Sequence, residues 1–169
     1  MKARLPALIG LALTLALPAA AQQTKCDGPE DACQAIEQIV SKYAAAENNH
    51  DAAAIAAFYT SDGIFVPEGP IVSGRDGIEK LYGGLFKAVD VSNVVINLDQ
   101  VRVHGNVAWG VGSYSAKQTG SDRTSQMAHG NYGMVCSEDG GAWKIRMVTV
   151  NRIESPPGQP AAGTRVRAD

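Results

Sequence analysis

The sequence predicts an α+β fold: three N-terminal helices packed on a strongly curved, mainly antiparallel sheet that encloses a pocket. Two observations carry this. Up to residue 88 the apolar residues recur at helical spacing, and after residue 90 they alternate with period two. Gly-containing turns then divide the second half into long adjacent runs, the pattern of a meander. Helices with one apolar stripe and strands with one apolar face must bury them against each other. A curved sheet closed on one side by helices leaves a conical cavity.

The first helix is expected from about Asp31 to Asn48, with Ala35, Ile36, Ile39, Val40, Tyr43 and Ala44 on its buried stripe. Asp31 is its expected N-cap, and Asn48-Asn49-His50 its stop, since Asn tolerates the left-handed conformation of helix ends. Asp51 caps a short Ala-rich helix, about Ala52 to Tyr59. Thr60-Ser61-Asp62-Gly63 reads as a turn by composition. Ile64-Phe65-Val66 is a strand stopped by Pro67, and Glu68-Gly69-Pro70 is a loop. Arg75-Asp76 opens a third helix to about Ala88, with Ile78, Leu81, Tyr82, Leu85 and Phe86 on one face. Gly83-Gly84 costs this helix roughly 1 kcal/mol per Gly relative to Ala, which suggests close packing or a bend.

Val91 to Val103 is the first long strand. Gly105-Asn106 turns it into Val107 to Lys117, where Trp109, Val111 and Ser113 share one face and Ala108, Gly110, Gly112 and Tyr114 the other. A polar loop, Thr119 to Ser125, leads to a strand from Met127 to Glu138. Asp139-Gly140-Gly141 then turns the chain into Ala142 to Ile153, where Trp143, Met147, Thr149 and Asn151 share a face.

Four segments divide the 169 residues. Residues 1–21 read as a secretory signal peptide: Lys2 and Arg4, an apolar run from Leu5 to Leu17, then Pro18 and Ala19-Ala20-Ala21 before the cut. Residues 22–33 are an N-terminal arm, 34–153 the domain, and 154–169 a disordered tail rich in Pro and Gly. Export implies a periplasmic or secreted protein with no stable membrane insertion after cleavage. Loss of the leader takes Lys+Arg from 15 to 13 against 17 Asp+Glu, a net charge near −4. With no basic patch, nucleic acid is not an expected partner. Export also favours a disulfide between Cys26 and Cys33. Pairing of Cys33 with Cys136, or three free thiols, are the alternatives. No cofactor or metal spacing is present.

Several segments together resemble the nuclear transport factor 2-like superfamily, which includes ketosteroid isomerases, SnoaL-like cyclases and many small bacterial proteins of unassigned function. They are Ile39 to Tyr43, Asn49-His50-Asp51, Phe58 to Gly63 leading into Ile64 to Pro67, and Gly74 to Ile78. Trp109 to Tyr114, Asp139 to Ile145 and Asn151 complete the set, covering about residues 34–153. The resemblance implies a cone-shaped fold, a deep pocket and a homodimer packed through the sheet. It also places Tyr43 where ketosteroid isomerases have a hydrogen-bond-donating Tyr. Their base position falls on Pro67, with Glu68 next, and their second donor falls near Met134. The resemblance therefore does not extend to steroid isomerisation.

The expected catalytic residues are Tyr43 as a donor, Glu68 as a base and His129 for acid–base chemistry if its strand face lines the cavity. Tyr59, Phe65, Tyr82, Phe86, Trp109, Asn131, Thr149 and Asn151 are the expected pocket residues; the resemblance puts the Asn151 face on the concave side. The expected function is binding of a small apolar molecule, with isomerase-, dehydratase-, cyclase- or hydrolase-type chemistry on it. A non-catalytic ligand-binding or dimerisation module is the alternative.

Overall fold

The computed structural model describes residues 24–154; the predicted signal peptide and all of the predicted tail but Glu154 lie outside the described residues. Strand β1 (Lys25–Asp27) is followed by α1 (Glu30–Asn48), α2 (Ala52–Ala57), β2 (Tyr59–Val66), β3 (Val72–Ser73) and α3 (Arg75–Ala88). Four long strands complete the chain: β4 (Asp90–His104), β5 (Val107–Thr119), β6 (Ser125–Asp139) and β7 (Ala142–Arg152). They form one sheet in the order β1-β4-β5-β6-β7-β2-β3. Its pairs are antiparallel except β1 with β4 and β2 with β7. The expected architecture of helices on a curved, mainly antiparallel sheet is the one observed.

Helix α1 starts at Glu30, earlier than expected. Pro29 precedes it at φ −57°, preset for helix entry. Asp31 therefore lies inside the first turn, where its Oδ1 accepts from Ala32 N, and it is not the N-cap. The buried stripe is Ile36, Ile39, Val40, Tyr43 and Ala46. At the other end His50, not an Asn, takes the left-handed conformation at φ 55°. The Asn48 amide docks on the sheet instead: it donates to Val94 O and accepts from Val94 N, at 3.0 and 2.9 Å. Asp51 caps α2 through Oδ1, 2.9 Å from Ala54 N.

The arm is not featureless, because its residues 25–27 pair with β4. Cys26 and Cys33 are joined by a disulfide with Cα atoms 6.1 Å apart, which ties β1 to the first turns of α1. Cys136 is a buried free thiol, pushed up to about 12 by burial. Thr60 to Gly63 is no turn but part of β2. Between Tyr59 and Ile64 the register against β7 shifts, so turn-forming residues bulge within a strand that β7 holds at both ends.

A second bulge decides which side chains face the helices. Cys136 pairs with Ile145, but Val135 pairs with Met147, leaving Arg146 extra. The alternation of β7 reverses there. Ile145, Val148 and Val150 point to the concave side, and Met147, Thr149 and Asn151 to the convex side, against the sequence expectation. On β5, Ala108 is buried on the concave side while Trp109 is 45% exposed on the convex side, with the Arg102 guanidinium 5.4 Å over its ring.

Gly112 is required by this curvature. A Cβ there would overlap the Asn97 carbonyl and stand 2.8 Å from the Tyr132 ring. Gly83-Gly84 is different: a Cβ on Gly84 meets nothing within 4 Å, and one on Gly83 only Ala52 at 4.0 Å, in an unbroken α3. The glycine pair marks neither close packing nor a break. Gly112→Ala should therefore cost about 2–3 kcal/mol through overpacking, whereas Gly84→Ala should stabilise by about 0.5–1 kcal/mol. Urea midpoints for the two variants test this; equal shifts would refute the assigned role of Gly112.

Candidate functional site

A cavity of about 410 Å³ lies between α1, α3 and the concave face of β4 to β7. Its walls are mostly apolar: Ile39, Val40, Phe65, Leu81, Leu85 and Val148 are among them. The polar groups that line it are Tyr43 and Glu47 from α1, Tyr82 from α3, Tyr114 and Gln118 from β5, Tyr132 from β6, Arg152 from β7 and Glu68. A second hollow, about 580 Å³, runs between α1 and β4 and is lined by none of the predicted site residues.

Three phenol hydroxyls meet beneath the cavity. Tyr43 Oη lies 2.6 Å from Tyr82 Oη and 3.1 Å from Tyr59 Oη. The rings cross edge to face at 6.1 and 6.2 Å, a favoured aromatic geometry. Burial, followed by the neighbouring phenols and Glu47, holds Tyr43 and Tyr82 well above the usual tyrosine range. Tyr59 is wholly buried and raised too, chiefly by burial. All three are neutral at any ordinary pH. Arg75 Nε donates to Tyr59 O at 2.8 Å and fixes the start of β2 against α3.

Glu47 extends this cluster. It sits one helical turn beyond Tyr43, on the same side of α1. Burial pushes its carboxyl up to about 7, and the nearby Tyr82 hydroxyl holds it partly back. The cavity thus contains a carboxyl that exchanges a proton near neutral pH. Tyr114, on the facing wall, is raised by burial and then by Glu68, with Arg152 opposing and Glu47 adding. At the mouth Glu68 Oε1 accepts from Arg152 N at 2.8 Å, so this carboxylate is pinned to the end of β7.

Of the predicted residues, Tyr43, Phe65, Glu68 and Tyr82 line the cavity. Tyr59 stands behind them. Phe86 packs on Tyr82 and stacks on His50 at 4.9 Å, away from the cavity lining. His129 and Asn131 point to the convex side, because the inward residues of β6 are Ala128, Gly130, Tyr132 and Met134. His129 Nδ1 is buried there without a hydrogen-bond partner. Trp109, Thr149 and Asn151 share that convex side. Glu47 was absent from the sequence expectations, although a signal existed: it continues the stripe Ile36, Ile39, Val40, Tyr43 as a charge on an apolar face. Tyr114, Tyr132 and Arg152 were also missed. Among the described residues no three His, Cys, Asp or Glu side chains converge as a metal site.

The fold has known counterparts. The SnoaL-like domain family matches residues 31–149, and the chain belongs to that family, within the nuclear transport factor 2-like superfamily. A ketosteroid isomerase-like protein from Erwinia carotovora atroseptica superposes with a TM-score of 0.68 at 20% identity, covering 75% of this chain and 99% of that one. An uncharacterised protein of cystatin-like fold from Caulobacter vibrioides gives 0.64 at 19% identity, covering 73% and 91%. A nuclear transport factor 2-like protein from Novosphingobium aromaticivorans gives 0.61 at 15%, covering 75% and 85%. No curated protein matches the chain. At these identities the likeness is one of fold.

Glu47 has a stability signature. Its folded-state affinity for protons exceeds the unfolded one, so stability falls as pH rises from about 4.5 to about 7 and stays reduced above. Glu47→Gln removes that penalty. The variant should match the wild type near pH 4 and exceed it by on the order of 2 kcal/mol near pH 8. Denaturant titrations at the two pH values decide it; a variant less stable at the higher pH would contradict a buried, raised carboxyl.

Proposed function

We propose that this protein binds a small, largely apolar molecule in the cavity and performs cofactor-independent acid–base chemistry on it, of isomerase, dehydratase, cyclase or hydrolase type. The observation that carries this reading is Glu47: a carboxyl titrating near neutrality in an apolar cavity, beside Tyr82 and one turn from Tyr43. A base is most effective when its pKa lies near the working pH. Glu47 would take and return the proton. Tyr82 lies beside its carboxyl, and the apolar walls exclude water. Pro67 and Met134 do line the cavity, but neither can act as an acid, base or donor. The chemistry therefore differs from steroid isomerisation as that site performs it.

Native mass spectrometry of freshly purified protein should reveal a co-purified apolar molecule. In deuterated water that molecule should acquire deuterium at carbon, and Glu47→Gln should slow this by about 100-fold or more. His129→Ala, altered on the far side of the sheet, should leave the rate unchanged. A molecule recovered without exchange would favour the alternative, a ligand carrier without catalysis.

The reading includes a homodimer and export. Val107, Trp109, Val111 and Met127 place exposed apolar surface on the convex face, each more than 40% exposed. A second copy packed there would cover it. Trp109→Glu should halve the mass in sedimentation equilibrium; an unchanged mass would refute this surface. The positive-then-apolar start of the chain and the Cys26–Cys33 disulfide support a periplasmic or secreted location.

A further inference from the structure

Glu47 breaks two local rules at once. It stands in the last turn of α1, where the helix dipole favours a cation, and that turn carries no basic residue. It also continues the buried stripe of α1 and turns its carboxyl to an apolar cavity. The protein supplies no counter-charge. The hydroxyls of Tyr43, Tyr59 and Tyr82 bond to one another. Among the described residues Glu47 has neither a hydrogen bond nor an ion pair; the ion pairs join His50 to Asp90, Arg102 to Asp27 and Arg146 to Asp62. The charged side chains lining the cavity are two acids, Glu47 and Glu68, against one base, Arg152. Arg152 ends β7 at the mouth, where Glu68 holds its backbone N–H. Four tyrosines and Phe65 supply aromatic wall, and the faces of such rings attract positive charge. A local rule broken without compensation inside the chain is expected at a functional site.

We propose that the cavity takes an organic cation: a small apolar amine, protonated at nitrogen, whose N–H groups pair with the Glu47 carboxylate while its hydrocarbon body fills the apolar walls. This inference rests on the cavity being a ligand site and names the class of ligand it takes. The ammonium group supplies the charge that the last turn of α1 lacks, and its N–H groups satisfy the carboxylate oxygens. A carboxylic acid of the same shape would bring a further negative charge to Glu47 and Glu68, which Arg152 alone offsets. A neutral molecule would leave Glu47 without a counter-charge. Pairing does not remove Glu47 from proton transfer, because a carboxylate has two oxygens and one can face nitrogen while the other faces a C–H. The titratable groups around Glu47 are Tyr43 on its own helix, Tyr59 on β2, Tyr82 on α3 and Tyr114 on β5. Glu68 and Arg152 act from the mouth, on Tyr114.

The test compares three compounds of one shape by isothermal titration calorimetry on the full chain: 2-naphthylmethylamine, a cation; 2-naphthylmethanol, neutral; and 2-naphthoate, an anion. Near pH 8 the amine should bind about tenfold tighter than the alcohol or better, as expected for a charge-assisted hydrogen bond, and the naphthoate weakest. Near pH 5, where the amine keeps its charge and Glu47 is protonated, the gap between amine and alcohol should shrink to about threefold or less. In Glu47→Gln it should be small at both pH values. An alcohol that binds as tightly as the amine near pH 8, a naphthoate that binds tightest, or a gap that survives Glu47→Gln would each overturn the inference and leave the binding site standing. If none of the three binds, the reading of the cavity as a ligand site fails, and this inference with it.

Discussion

The structure depends on keeping three phenol hydroxyls out of water without leaving any of them unpaired. A buried hydroxyl without a partner costs about 1–3 kcal/mol. Tyr43, Tyr59 and Tyr82 satisfy one another, and they come from α1, β2 and α3. The requirement therefore fixes how two helices sit over the sheet. It also fixes where the apolar cavity ends and its polar base begins. Glu47 stands beside this cluster, and burial brings its proton exchange into the neutral range.

The second constraint is curvature. The sheet bends around the cavity only because its concave side carries little bulk at selected points and its strands carry extra residues. Gly112 gives space to the Tyr132 ring, and register shifts occur in β2, β4 and β7. Each shift has a chemical consequence, since one inserted residue sends the next side chains to the other face. The extra Arg146 sends Val148, Val150 and Arg152 into the cavity and Thr149 and Asn151 out of it. The outer face is left with Trp109 and its exposed apolar neighbours.

Membership of the SnoaL-like family and superposition on a ketosteroid isomerase-like protein describe a scaffold, and a scaffold does not determine a reaction. Pro67 and Met134 occupy the cavity positions where the resemblance puts a base and a donor. The ionisable group stands on α1 instead. In this cavity the carboxyl and two of the tyrosines line the helix side, and the hydroxyls of Tyr114 and Tyr132 come from the sheet.

The sequence by itself determined the elements and the class of fold. Helical spacing in α1 and α3, the Asp51 cap, the turns at Gly105-Asn106 and Asp139-Gly140-Gly141, and the period-two strands are local properties, set by residues a few positions apart. Tyr43, Glu68, Phe65 and Tyr82 were legible as cavity residues for the same reason, together with the family resemblance. The face of each strand was not. His129, Asn131, Thr149 and Asn151 alternate as cleanly outward as they would inward, and one extra residue at Arg146 reverses β7 with no local sign of it. Glu47 was likewise visible as a charge on an apolar stripe, but its meaning depends on Tyr82, thirty-five positions away. Only the placement of α1 and α3 over the sheet brings that hydroxyl near that carboxyl. The long-range pairing and the loss of water around it, which no short window of sequence contains, decided the chemistry of the site.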